Sequence, residues 1–254
     1  MAEAISGQLN EEELFASRRG LRSVLEKLGW LGMLSLLFVG VSSVFGRMAF
    51  MGDAQGVANP EEVYNAFDVR YVQLPLATWF HLLPALLIAI TGPFQFIRAI
   101  RKRWRPWHRI SGRVYLISGL IAATSAFVIG GLNPFGGLNG PGFNEAMATF
   151  VISTLTIWFL VQAYRTVRRK QFAQHREWII RSWTVMLGIA TERLLLGMLM
   201  ATTDVGIEVL FGATFWMALV INLAGAELWI HLTRTPGRGL THWKDLDERA
   251  APAR

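Results

Sequence analysis

The groups in this chain that could do chemistry sit inside apolar sequence. His81 lies in "TWFHLLPALL", Glu192 and Arg193 in "IATERLLLG", His108 in "WRPWHRISGRVY" and His175 in "FAQHREWIIRSW". A buried acid beside a histidine can hold a proton, a metal or a polar headgroup. Two histidines at one depth on facing helices can ligate a b-type haem. With a carboxylate or a further histidine they can hold a metal, and imidazole with carboxylate suits zinc, copper or iron. The residues sort into two groups. The outer one is His81, Glu192 and Arg193; the inner one is Gln95, Arg98, His108, Arg113, Tyr115, His175, Arg181, Glu227 and His231. His108 and His175 are the candidate haem or metal ligands, with Glu227 or His231 to complete a metal set.

Positioning these groups requires helices. Of the 254 residues 52% are apolar, and they fall in blocks. Six blocks, near 28–46, 76–97, 112–131, 145–164, 178–200 and 209–232, reach the about 17–25 residues that a membrane-crossing helix needs. The expected fold is therefore all-α, a polytopic bundle of six transmembrane helices. Polar residues recur at helical spacing within the blocks. In the second block His81, Thr91, Gln95 and Arg98 share a face. In the fifth Arg181, Thr184, Thr191 and Glu192 do so, in the third His108, Gly112, Tyr115 and Gly119, and in the sixth Asn222, Glu227 and His231 are near one another. At about 1.5 Å per residue, His81 and the Glu192–Arg193 pair lie at similar depth from the outer surface. Pro84 and "TGP" at 91–93 are weak kink signals, and no block shows an evident break.

The chain carries a net charge of +7, but the charges are not spread as nucleic-acid binding would require. Segments 1–27, 98–111, 165–177 and 233–254 hold nearly all of the 25 lysines and arginines, counting neighbours within a turn. Only Arg47, Arg70 and Arg193 fall clearly elsewhere. This asymmetry predicts that both termini are cytoplasmic. The expected partners are the bilayer and anionic lipid headgroups, with a homo-oligomer or a larger membrane complex as further candidates. Nucleic acid is not among them. The organisation expected is an N-terminal segment 1–27, including an amphipathic stretch from residue 8 suited to the membrane surface, then a six-span domain 28–232 and a polar tail 233–254. The start, "MAEAISGQLNEEELF", lacks the basic and short apolar regions of a cleaved signal peptide, so the first span is expected to remain as an anchor. The outer segment 47–75 holds "NPEEVYNAF", where Asn59 can cap a short helix with Pro60 in its first turn. There is no cysteine, which excludes disulfides, thiolate metal sites and covalently attached haem. No nucleophile elbow, phosphate loop or metalloprotease motif is present.

One internal repeat stands out. "RAIRKRWRPWHR" (98–109) aligns with "RTVRRKQFAQHR" (165–176), so that His108 matches His175 and Arg109 matches Arg176. The spans flanking each segment then form two parallel copies of one helical hairpin, related by an axis along the membrane normal. A plainer reading also fits. Arg98, Arg113 and Arg181 are near enough to the interface to snorkel to lipid phosphates. Trp104, Trp107 and Trp178 suit interface anchors.

"FHLLPALLIAITGPFQFIRAIR", "HRISGRVY" and "HREWIIRSW" with "TERL" after it resemble an uncharacterised bacterial membrane family, catalogued as domain of unknown function 2306. The resemblance covers about 78–200 and falls on His81, Gly92, Gln95, His108, Arg109, Gly112, Arg113, Tyr115, His175, Arg176, Trp178, Arg181 and Arg193. It implies a multi-helix protein of the bacterial cytoplasmic (inner) membrane and carries no assigned activity, cofactor or substrate. Three functional readings stay open. One is a polar intrabundle site for a small molecule, ion or lipid headgroup. Another is a b-type haem or metal protein for electron transfer, and the third a non-catalytic subunit or assembly factor of a membrane complex.

Overall fold

The computed structural model describes the backbone of residues 2–234 and the side chains of residues 23–234. The amphipathic stretch before residue 23 and the polar tail after residue 234 thus lie, for their side chains, outside the described residues. The described chain is helical, without strands. α1 (Ala2–Asp53) carries the first span. Two short helices follow, α2 (Pro60–Val63) and α3 (Ala66–Gln73), and then α4 (Pro75–Phe96), α5 (Arg98–Arg103) and α6 (Arg105–Ala126). A π-helical turn, Phe127–Leu132, extends α6. α7 (Gly142–Arg168), α8 (Phe172–Met186), α9 (Gly188–Thr202) and α10 (Ile207–Thr233) complete the bundle. Among the described residues six stretches are long and apolar enough to cross a membrane, one for each predicted span. In a bilayer each must satisfy its backbone internally, and only a helix does this within one segment.

The helices differ from the sequence expectation in two informative ways. The predicted loops at 98–111 and 165–177 are largely helical. α6 begins at Arg105 and α8 at Phe172, so His108 and His175 each sit in a first helical turn. The turn between α7 and α8 is only three residues long, and Lys170 takes a left-handed conformation at φ 60° to close it. Further, the fifth span is broken, contrary to expectation. α8 stops at Met186 and α9 restarts at Gly188. Asn222 of α10 bridges the break: its Nδ2 donates to the Thr184 carbonyl at 2.7 Å and its Oδ1 accepts from Thr191 Oγ1 at 2.9 Å. No proline or diglycine announces this break; a polar side chain on a distant helix supports it. By contrast α4 runs unbroken through Pro84 and Pro93.

The repeat extends beyond the aligned loops. Tyr115 and Ser182, equivalent positions 67 residues apart, hydrogen-bond to each other at 3.0 Å. The same offset relates the first residues of α4 and α7, and of α6 and α8. It also relates Gly119 to Met186, whose sulfur would lie 3.5 Å from a Cβ at position 119. Contacts between equivalent residues arise on a two-fold axis, so the two hairpins, α4–α6 and α7–α8, face each other across one. Tyr115, Trp183, Leu160 and Ile88 form the main buried apolar cluster at this axis. Gly92 makes room for Trp183, whose indole occupies the space that a β-carbon at position 92 would take. α1 is peripheral: none of its most apolar stretch is fully buried, and it packs on α4 and α9.

In the segment 47–75 both Asn59 and Asn65 precede helices. Asn59 supplies no side-chain cap to the backbone, whereas Asn65 Oδ1 accepts from the Asp68 N–H at 2.9 Å and so caps α3. Only the first of these helices is visible in the sequence, through Pro60.

Candidate functional site

A cavity of about 540 Å³ lies between α1 and the remaining helices, with residues of α3 at one end. Its walls are apolar, and its charged residues gather toward α3. Ile88, Gly119, Thr156 and Trp183 lie deepest along their helices, near the middle of the bundle. The volume falls within the about 300–1,000 Å³ of pockets that hold one drug-sized molecule.

Arg47, Arg70 and Arg193 all line this cavity. They are the three basic residues that break the charge asymmetry of the sequence. Each comes from a different element: α1, α3 and α9. Arg70 Nη1 donates to Glu145 Oε1 at 2.7 Å, and both side chains are buried. Burial alone would disfavour the Arg70 cation, but Tyr71 and Glu145 outweigh it and hold the guanidinium above its ordinary pKa. Glu145 Oε2 also accepts from the Phe135 N–H at 2.7 Å, which ties the glycine-rich loop to α7. Gly130, in the π-helical turn, lets Glu145 and Thr149 come close; a Cβ there would lie 2.9 Å from Thr149 Oγ1. Arg47 pairs with Asp68 at 2.5 Å and stacks on Tyr71, 4.1 Å from the ring centre. Phe211 lies between Arg70 and Arg193, at 5.3 and 5.5 Å from the two guanidinium carbons.

The predicted outer group is brought to this region, in a different pairing. His81 does not meet Glu192. His81 Nδ1 lies 3.0 Å from the Ala122 carbonyl, to which it donates in the matching tautomer, and the residue faces the cavity. Glu192 is fully buried behind Arg193. It accepts from Thr214 at 3.3 Å, and its Oε2 is 3.5 Å from Arg193 Nη1 without a hydrogen bond. Sequence reasoning missed Asp68, Arg70, Tyr71 and Glu145. The signal that could have found them was the placement of Arg47, Arg70 and Arg193, because an arginine away from the basic side needs a reason to be there.

α7 presents a polar stripe to the cavity: Glu145, Thr149, Ser153 and Thr156. Hydroxyls in membrane helices commonly bond back to the carbonyl four residues earlier, as Thr166, Thr184 and Thr214 do here. Ser153 does not, and its buried Oγ has no partner. The indole Nε1–H of Trp183 is likewise buried and unpartnered.

At the opposite, basic end the predicted inner group divides in two. Near the axis, Gln95 donates to Ser111 Oγ at 3.1 Å and to the Thr91 carbonyl at 3.2 Å; a Cβ on Gly112 would press on its amide oxygen. Tyr115 is fully buried. His108 and His175 are half-buried at equivalent depth and close enough to interact electrostatically. His175 Nδ1 donates to the Ala163 carbonyl at 2.8 Å, whereas His108 Nδ1 is buried without a partner. Arg181 and Glu227 stand apart in a lateral groove with Trp158 and Trp178, joined bidentately at 2.5 and 2.9 Å. Glu177, which the sequence reading passed over, is buried and pairs with Arg234 at 2.8 Å. Arg113 and His231 are exposed. Among the described residues no three of His, Asp and Glu come together as metal ligands would. Glu227 is engaged by Arg181, which removes it from the expected ligand set.

A family model described as "Predicted membrane protein (DUF2306)" matches residues 78–230. The chain belongs to the DUF2306 family. The matched region takes in α10, beyond the limit near residue 200 that the motifs suggested, and so includes Asn222 and Glu227. Within the DUF2306 region lie His81, Glu145, Trp183, Glu192 and Arg193. Arg47, Asp68, Arg70 and Tyr71 precede it. Thus the polar cluster is built jointly by the DUF2306 core and by α1 and α3. No curated protein and no solved structure matches the chain.

Proposed function

We propose that this protein is a binding protein of the bacterial inner membrane, with both termini cytoplasmic, whose cavity holds a small amphipathic molecule. Its polar head sits among Arg70, Arg193, Glu145 and His81, and its apolar body lies along α1, α4 and α6. The observation that carries the reading is the convergence of Arg47, Arg70 and Arg193 on one cavity. A charge within the bilayer region costs several kcal/mol unless paired or hydrated; Arg47 and Arg70 are paired with Asp68 and Glu145, and Arg193, without a hydrogen bond among the described residues, is the charge that a ligand would complete. The basic turns at the other end are suited to anionic headgroups on the cytoplasmic leaflet. The test is mass spectrometry of organic extracts from protein purified in mild detergent. A molecule should co-purify with the wild type and be lost from Ala85→Phe/Ala89→Phe, which fills the cavity. Equal recovery from both proteins, or no cavity-dependent molecule even after incubation with total membrane lipid, would overturn the reading.

A second reading is favoured by one observation. His175 spends Nδ1 on a backbone carbonyl, which leaves Nε2 free as in axial haem ligands, and its equivalent His108 is nearby. A b-type haem between them would give a Soret band with sharp α and β bands on dithionite reduction, lost in His175→Ala. A featureless spectrum from haem-replete cells would remove this reading.

A further inference from the structure

We infer that the ligand of this cavity is a single-chain amphiphile with an anionic oxyacid head, a carboxylate or a phosphate monoester, seated on Arg193. The inference rests on the cavity being a binding site, and it follows from which polar atoms there are already satisfied.

Two of the three arginines are engaged. Arg47 is bonded to Asp68, and Arg70 to Glu145 and, at 3.1 Å, to the Tyr71 hydroxyl. Among the described residues Arg193 makes no hydrogen bond. Its ion pair there is the 3.5 Å approach to Glu192, it acts electrostatically on Glu145 as well, and its side chain is 27% exposed and lines the cavity. A guanidinium is a rigid fork of five donors that matches an oxyanion bidentately, and here the fork is open.

The carboxylates of Asp68 and Glu145 also line the cavity, but Asp68 is already taken up by Arg47 and Asn65, and Glu145 by Arg70 and the Phe135 N–H. Glu192 Oε2 is sealed from the cavity behind Arg193, and among the described residues His81 Nε2 is the one basic nitrogen left open to it. An ammonium head would need several acceptors and would face Arg193 as a like charge. A neutral carbonyl head could accept from Arg193 but would leave most of the fork unfilled. An oxyanion completes it, and charge-assisted bonds of this kind are about twice as strong as neutral ones. The cavity size suits one chain, and the apolar faces of α1 and α4 supply its wall.

The test is displacement of tritiated palmitate from the full-length protein in nanodiscs of zwitterionic lipid. The competitors are palmitate, hexadecyl phosphate, hexadecanol and hexadecylamine, which share one chain and differ in the head. At least one oxyacid should compete about tenfold or more better than the alcohol, with the amine weakest. The stronger of the two oxyacids identifies the head. Arg193→Gln should bring the oxyacid down to the level of the alcohol while the alcohol is unchanged. Arg193→Lys keeps the charge without the fork and should fall between; it also serves if the glutamine variant does not fold. Equal competition by alcohol and oxyacid in the wild type would overturn the inference about the head yet leave the cavity reading intact. A preference for the amine would overturn it, as would no displacement by any competitor. Undiminished palmitate binding by Ala85→Phe/Ala89→Phe would instead place the fatty-acid site elsewhere and overturn both.

Discussion

Replacing Glu145 by glutamine removes one charge of the buried pair with Arg70 and keeps the side-chain shape. The amide oxygen can still accept from the Phe135 N–H, so the loop contact survives in weakened form. What is lost is the counter-charge of a guanidinium whose side chain is only 8% exposed. Breaking a buried pair from one side costs about 3–5 kcal/mol, because the remaining charge stays buried and uncompensated. The cost has a local limit here. Arg70 sits on α3, which is eight residues long and outside the spans, so α3 can undock and carry the charge to water. The expected outcome is therefore a loss of stability that appears first in α3. Amide exchange of 66–73 should accelerate in Glu145→Gln before that of α7, and equilibrium unfolding in mixed micelles should shift by no more than about 3–5 kcal/mol. Arg70→Met should cost a similar amount. The double variant should cost about 1–3 kcal/mol less than the sum of the two, since neither charge is then left alone. Additive losses, or a loss below about 1 kcal/mol for Glu145→Gln with α3 unchanged in exchange, would refute the reasoning that this buried pair holds α3 to α7.

Other variants probe the elements around the cavity. Gly92→Ala should destabilise by about 1–3 kcal/mol in micelle unfolding, because Trp183 fills the space of the added methyl and must shift toward the cavity; a neutral effect would mean the indole moves freely. Asn222→Leu leaves the Thr184 carbonyl without its bridging partner and should cost about 1–3 kcal/mol, with faster amide exchange at 187–191 as the local readout. Glu227→Gln should cost only about 0–1 kcal/mol despite its bidentate contact to Arg181, because the Glu227 side chain is 54% exposed; a larger loss would show that the lateral groove is drier than its exposure indicates.

Length, hydropathy and basic segments were sufficient, as sequence, to define the fold class, the number of spans and the repeat. These rest on local rules: a span must be apolar along its whole length, and a helix must satisfy its own backbone. Positions 108 and 175 could be matched from sequence for the same reason, since a duplicated hairpin keeps its spacing. The pairing of groups on different helices was not legible. His81 and Glu192 share a depth, yet helical spacing fixes only which residues share one helix face and says nothing of how that face is rotated toward its neighbours. His81 turned to Ala122, and Glu192 to Thr214 and Arg193. The break at Leu187 was hidden because its support comes from Asn222, over thirty residues away in sequence. The convergence of Arg47, Arg70 and Arg193 lay half in view. The sequence by itself determined that these three arginines stand where arginines are rarely found. Only the tertiary structure decided that they share a cavity, because that depends on how α1 and α3 pack against the other helices.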